Sequence, residues 1–255
     1  MTRKVLLIVE GEHEEPSFIK RLFKTCSGSS DYKTYSYRTN IHIIAQELYN
    51  NYNDFDKGDT DIRLVLASKE DKDIKKKVLL DTYSDIFMIF DFEPQHDNPH
   101  FDTIRRMINY YNDSTNQGKL FINYPMMQSY KHFDKLPCYD FEDIIVKEED
   151  FKEYKKIVAS ISFCTDLAKY NYITFLSIAI HHLKKANMIV NNIYNLPSIN
   201  EYLKLDYVEI FDKQLVLLSE KGYVYVLNTC IFILFDFSPK KLFNYIDKHA
   251  KELLI

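Results

Sequence analysis

The sequence predicts a doubly wound α/β domain with an α-helical extension, and three observations predict it. Two short apolar runs, Lys4–Val9 and Ile86–Phe90, each stop on carboxylates, at Glu10 and at Asp91-Phe92-Glu93. Each is followed by a turn and then by apolar residues at helical spacing, which is the pattern of βα units around a parallel sheet. Beyond Pro125 strand-like runs give way to helical periodicity.

The elements follow in order. Lys4–Val9 is continuously apolar, as expected of a strand covered on both faces. The chain turns at Gly11, and Pro16 opens a helix to Cys26, because proline in a first helical turn lacks only a donor that would be unpaired anyway. Lys33–Arg38 reads as a second strand, and Asn40 as the cap of a helix from Ile41 to about Tyr52. Asn53–Asp61 is a polar loop, and Ile62–Leu80 reads as one helix because its Lys-rich second half outweighs the strand-like Ile62–Leu66. The Asp91 strand precedes a helix over Phe101–Asn112, and Gly118–Tyr124 is a fourth strand ending before Pro125. Met126–Phe133 suggests a short helix, Lys135–Val146 is irregular, Tyr223–Phe237 reads as a buried helix, and Ser238-Pro239 starts a last helix through Leu254. The expected domains are therefore 1–133, with about four mostly parallel strands, and 134–255, mainly α-helical.

Composition narrows the function classes. Apolar residues make up 46%, and twenty Tyr, eighteen Phe and only five Gly describe an aromatic-rich folded chain rather than a disordered one. A formal charge of −4 argues against a protein that coats nucleic acid by bulk electrostatics, although local basic runs such as Lys75-Lys76-Lys77, Arg105-Arg106 and Lys240-Lys241 could contact phosphate or simply be solvated helix faces. The four cysteines lack CxxC spacing and the amino terminus runs straight into a strand, so a reduced, cytoplasmic protein without a signal peptide is expected. His181-His182 lies in an apolar helical stretch without an acidic ligand at useful spacing and reads as structural. No apolar run reaches the ~20 residues of a membrane helix, so no membrane partner is expected.

In an open parallel sheet the strand ends at the carboxyl edge converge on one crevice, which would bring Glu10 and Asp91 together across about eighty residues of sequence. Asp91 and Glu93, two apart, would share a face if the strand pleat persists. Such oxygen ligands suit Mg²⁺, with Mn²⁺ as an alternative, and Glu12, Glu14 and Asp97 are near enough in sequence to serve a second ion. The alternative for each acid is an ordinary helix cap or a solvated strand end.

These residues carry a family resemblance. Leu-Leu-Ile-Val-Glu10-Gly11-Glu12, with the Asp91-Phe92-Glu93 strand end, resembles the TOPRIM fold of topoisomerases, bacterial primases and OLD-type nucleases. Glu-Gly-x-x-x-Glu-Pro-x-Phe, from Glu10 to Phe18, is most similar to the RloB-like small TOPRIM proteins of bacterial phage-defence loci. The resemblance covers about residues 4–133 and implies a Mg²⁺-dependent nuclease acting on DNA or RNA, often beside an ATPase partner. It places Glu10 in an acid/base or metal role and Asp91 and Glu93 as metal ligands. Two departures stand out: Glu93 replaces the second Asp of the pattern, and Gln128 stands where relatives carry Glu. A catalytically degenerate binding or regulatory module is therefore the first alternative. A receiver-like phosphoacceptor domain is the second, although receivers pair their acids directly after strand one and are about half this length.

Overall fold

Lys4–Val9 forms β1 of the computed structural model, which describes residues 4–26, 31–58, 60–68, 72–249 and 253. Val5 to Val9 are fully buried, which explains why this strand is apolar at every position rather than alternating. Asp31–Ser36 (β2) and Asp85–Asp91 (β3) flank it, and both pair with it in parallel. Gly118–Asn123 (β5) lies beyond β3, and a two-residue antiparallel strand, Asn112–Asp113 (β4), completes a five-stranded sheet of order β2-β1-β3-β5-β4. The α/β class and its mostly parallel sheet thus agree with expectation, with β4 as the strand that was not anticipated.

The chain divides into two compact units, Met1–Ile122 and Asn123–Ile255. In the first, Glu14–Cys26 (α1) buries Phe18, Ile19, Leu22 and Phe23, which recur at helical spacing. Ile41–Asn51 (α2) buries Ile41, Ile44, Ala45 and Leu48, and begins where the Asn40 side chain accepts a hydrogen bond from the Ile43 N–H at 3.1 Å. Phe101–Tyr110 (α5) buries Ile104, Met107 and Ile108 and packs on α2. Each such side chain taken fully out of water contributes about 1.5–3 kcal/mol. The single helix expected over Ile62–Leu80 is instead two, Ile62–Ser68 (α3) and Asp73–Leu79 (α4). Lys72 is extended, with φ −94° and ψ 120°, and Asp73 puts a carboxylate in the first turn of α4, where the helix dipole favours it; residues 69–71 lie outside the described set.

The second unit is built around Tyr172–Asn191 (α7), opened by the Asn171 side chain accepting from the Thr174 N–H at 2.9 Å. α7 is buried nearly all round, with thirteen buried residues that include His181, His182 and Lys185. Among the described residues the remaining α-helices of this unit are Tyr154–Ile161 (α6), Ile199–Tyr202 (α8), Tyr207–Lys221 (α9), Ile233–Phe237 (α10) and Pro239–Lys248 (α11). Met127–Lys131 is a 3₁₀ turn rather than an α-helix.

Tyr223–Phe237 is not one helix: Tyr223–Tyr225 (β7) pairs antiparallel with Ile145–Lys147 (β6), and a 3₁₀ turn over Cys230–Phe232 precedes α10. The aromatic and β-branched run favours a pleated surface, Gln214 of α9 bonds both the N–H and the C=O of Tyr225, and the Asn228 side chain accepts from the Ile231 N–H to start the turn. At the last helix Pro239 occupies the first turn as expected, yet the Ser238 side chain makes no capping bond, and the helix is seen to Lys248. Of the expected continuation to Leu254, all but His249 and Leu253 lies outside the described residues. Among the described residues no helix is long and apolar enough to cross a membrane.

Candidate functional site

β1 and β3 are neighbours, the connection leaving β1 leads to β2 on one side and the one leaving β3 leads toward β5 on the other, so the crevice beyond the β1 and β3 carboxyl ends is a topological switch point. Glu10 is the first residue past β1 and is stitched to both neighbours. Its N–H donates to the Ile89 carbonyl at 3.3 Å, and its carbonyl accepts from the Arg38 N–H at 3.1 Å. Its carboxylate oxygen Oε2 accepts from the Asp91 N–H at 3.1 Å. The two acids separated by about eighty residues are therefore neighbours at the sheet rim, as the strand-end argument expects.

Gly11 leaves room for a close approach within the turn. The buried Glu15 carboxylate folds back against it, and a Cβ on Gly11 would force that carboxylate to move. The Gly11 carbonyl also accepts from the Ser36 hydroxyl at the end of β2. The Glu-Gly-x-x-x-Glu spacing thus has a structural meaning: helix α1 returns Glu15 onto the glycine of the preceding turn.

On the β3 side the strand ends at Asp91, and Glu93 takes a left-handed backbone with φ 39°. The strand pleat does not extend to Glu93, which corrects the expectation that Asp91 and Glu93 share a face through it. What holds the Glu93 turn is His42 of α2. Its Nε2 lies 3.0 Å from the Glu93 carbonyl and its Nδ1 accepts from the His100 N–H at 3.2 Å, so these partners select the Nε2–H tautomer. The ring stacks on His96 at 4.9 Å and meets the Phe101 edge at 5.6 Å. Burial, with His96 and His100 adding to it, pushes His42 down to about 4, so it serves as a neutral hydrogen-bonding clamp at pH 7.

These turns enclose an open cleft of about 560 Å³ lined by Glu10, Gly11, Glu12, Arg38, Thr39, Asn40 and Glu93. Of the residues expected from sequence, Glu10, Glu12 and Glu93 line it, and Asp91, half-buried, reaches Glu10 through its backbone N–H. Glu14, the first residue of α1, and the exposed Asp97 are not part of the lining. Among the described residues no group of three or more His, Cys, Asp or Glu is gathered closely enough to hold an ion. Gln128 is buried in the Met127–Lys131 turn of the second unit.

Three residues of the basic runs have partners away from the cleft. Arg106 Nε donates to Asp56 at 2.8 Å and its guanidinium lies 4.8 Å over the Phe55 ring, while Arg105 pairs with Asp102 and Lys75 lies over Tyr35. His181 and His182 are structural, as expected: His181 Nε2 accepts from the Cys138 N–H at 3.0 Å, and His182 Nδ1 from the Asn228 N–H at 3.1 Å.

Compared with protein-family models, with curated proteins and with solved structures, the chain matches none. Two residues of the site, Arg38 and His42, were not anticipated from sequence. Arg38 stands between the end of β2 and the Asn40 cap, so its signal was the same strand-end rule applied to the neighbouring strand. His42 sits one residue into an amphipathic helix and carries no local signal.

Proposed function

We propose that the cleft is the active site of a metal-dependent, TOPRIM-like nuclease that hydrolyses DNA or RNA phosphodiesters. The observation that carries this is the Glu10 carboxylate held on the Asp91 N–H at the switch-point rim, beside Glu12 and Glu93 in one cleft. The donor set fits a hard divalent ion in kind, because the acids are all oxygen donors, but not in spacing: Mg²⁺, or Mn²⁺, would have to draw Glu10, Asp91 and Glu93 closer together than they stand, with Glu12 nearest for a second. Bound there, such an ion would polarise a phosphoryl oxygen and lower the pKa of a water.

The chain's own contribution is positional. The Asp91 N–H fixes one Glu10 oxygen, which orients the carboxylate to take or return a proton at the cleft. His42 holds the turn that carries Glu93. By the family resemblance, the proposal extends to bacterial antiviral defence beside an ATPase partner, in the cytoplasm.

The test is cleavage of linear duplex DNA, single-stranded DNA and single-stranded RNA with Mg²⁺ or Mn²⁺. Glu10→Ala and Asp91→Ala should each lose about 100-fold or more in rate while retaining the wild-type circular dichroism spectrum. Cleavage at the wild-type rate in both variants overturns the assignment. The left-handed turn at Glu93 favours a second reading, a binding module of the same fold that has lost catalysis, and inactivity of the wild type on all three substrates with both ions would select it.

A further inference from the structure

Arg38 is the one cationic side chain among the seven residues lining the cleft, against the carboxylates of Glu10, Glu12 and Glu93. It is also one of three non-glycine residues among those described with positive φ, at 56°. L-residues with a long side chain rarely occupy that region, and such strain concentrates at functional sites. The strain here has a structural consequence. The Arg38 N–H continues the β1–β2 ladder by donating to the Glu10 carbonyl at 3.1 Å, and the left-handed step then turns the chain into the Asn40 cap of α2 with Arg38 still on the cleft.

The guanidinium pairs with the Glu12 carboxylate. The two side chains are 65% and 44% exposed, so the pair is of the solvent-screened kind that contributes little and exchanges readily. A guanidinium offers a planar fork of donors that matches phosphate oxygens two at a time. An anionic substrate entering a carboxylate-lined cleft needs such an anchor.

We propose that Arg38 is the phosphate-anchoring residue of this cleft: Glu12 holds it in the free protein and a backbone phosphate of a nucleic-acid strand displaces Glu12. This rests on the nucleic-acid reading of the cleft but not on catalysis. Asn tolerates the left-handed backbone, so Arg38→Asn removes the charge without adding strain, and Arg38→Lys keeps the charge without the fork.

Binding is read by fluorescence anisotropy of a fluorescein-labelled single-stranded DNA and of the matching RNA, with Ca²⁺ in place of Mg²⁺, across a salt series. Arg38→Asn should weaken binding about fivefold and reduce the slope of log affinity against log salt by about 0.7, the value of one single-strand phosphate contact. Arg38→Lys should fall between, and Glu12→Gln, compared with the wild type in EDTA so that no ion is held at Glu12, should tighten binding about twofold by releasing Arg38. Wild-type affinity and slope in Arg38→Asn, or no binding of either strand by the wild type, overturns the proposal, and weaker binding by Glu12→Gln overturns the holding role of Glu12. The two readings fail separately. Arg38-dependent binding without cleavage in Mg²⁺ or Mn²⁺ sinks the nuclease and leaves the anchor. Cleavage with an unchanged KM in Arg38→Asn sinks the anchor and leaves the nuclease.

Discussion

Replacing Lys185 by Met should change how the stability of this protein depends on pH, with a sign that the surroundings of Lys185 dictate. The side chain is fully buried on α7, its Nζ donating to the Glu142 carbonyl at 2.7 Å and the Ile144 carbonyl at 3.0 Å and lying 4.9 Å from both the Phe141 and Tyr225 rings. Burial pulls it from 10.5 down to about 7, with Asp143, Glu142 and Cys138 opposing the fall. Between pH 7 and the ordinary lysine value the unfolded chain therefore binds a proton that the folded chain has released. Stability rises with pH wherever the unfolded state binds more protons. At about 1.4 kcal/mol per pH unit the folded state resists this charge by about 5 kcal/mol, of which about 2 kcal/mol is recovered between pH 7 and pH 9. Met removes the titration and leaves the two carbonyls without these donors, a cost that does not vary with pH. Urea denaturation followed by far-ultraviolet circular dichroism at pH 7, 8 and 9 should show the wild type gaining about 2 kcal/mol on Lys185→Met across the range. His132 and His182 feel the Lys185 charge, but burial is the larger cause that holds both below the usual histidine value, so they stay neutral from pH 7 to pH 9 and do not enter the difference. A gap that stays constant within about 0.5 kcal/mol, or that moves the other way, refutes the reasoning.

Two further substitutions test how the first unit is held. Arg106→Ala removes the fork to Asp56 and the contact over Phe55 that tie the 53–58 turn to α5, and should cost about 1–2 kcal/mol by denaturant titration, with Arg106→Lys recovering only part of it. Gly118→Ala should cost about 1–3 kcal/mol and lower the melting temperature, because Gly118 has φ 103° and the added methyl would stand 3.3 Å from both Ile86 Cγ2 and Met88 Cε on β3. A Gly118→Ala protein melting with the wild type would show that β3 and β5 shift freely, against the close packing seen here.

Local chemistry written along the chain determined much of this protein. The short apolar runs Lys4–Val9 and Ile86–Phe90, bounded by turns and acids, read as strands buried on both faces, which puts the acids at their ends at one sheet edge; Glu10 and Asp91 meet there for that reason. Caps and first-turn prolines are equally local, which is why the starts at Asn40 and Pro239 are legible. Tertiary structure decided what depends on neighbours distant in sequence. Tyr223–Phe237 is apolar enough for either a helix or a strand, and Gln214 and the β6 partner resolve it. Lys185 carries the sign of a solvated residue, but α7 is enclosed on nearly every side, so the lysine is buried and its proton affinity falls. At the cleft the backbone of Glu93 follows a left-handed turn that His42 clamps from another helix, and Arg38 reaches the same rim because β2 pairs with β1. Periodicity and turn residues report the conformation of a segment. Which side chains face one another depends on strand order and on contacts between helices, and a short stretch of sequence carries neither.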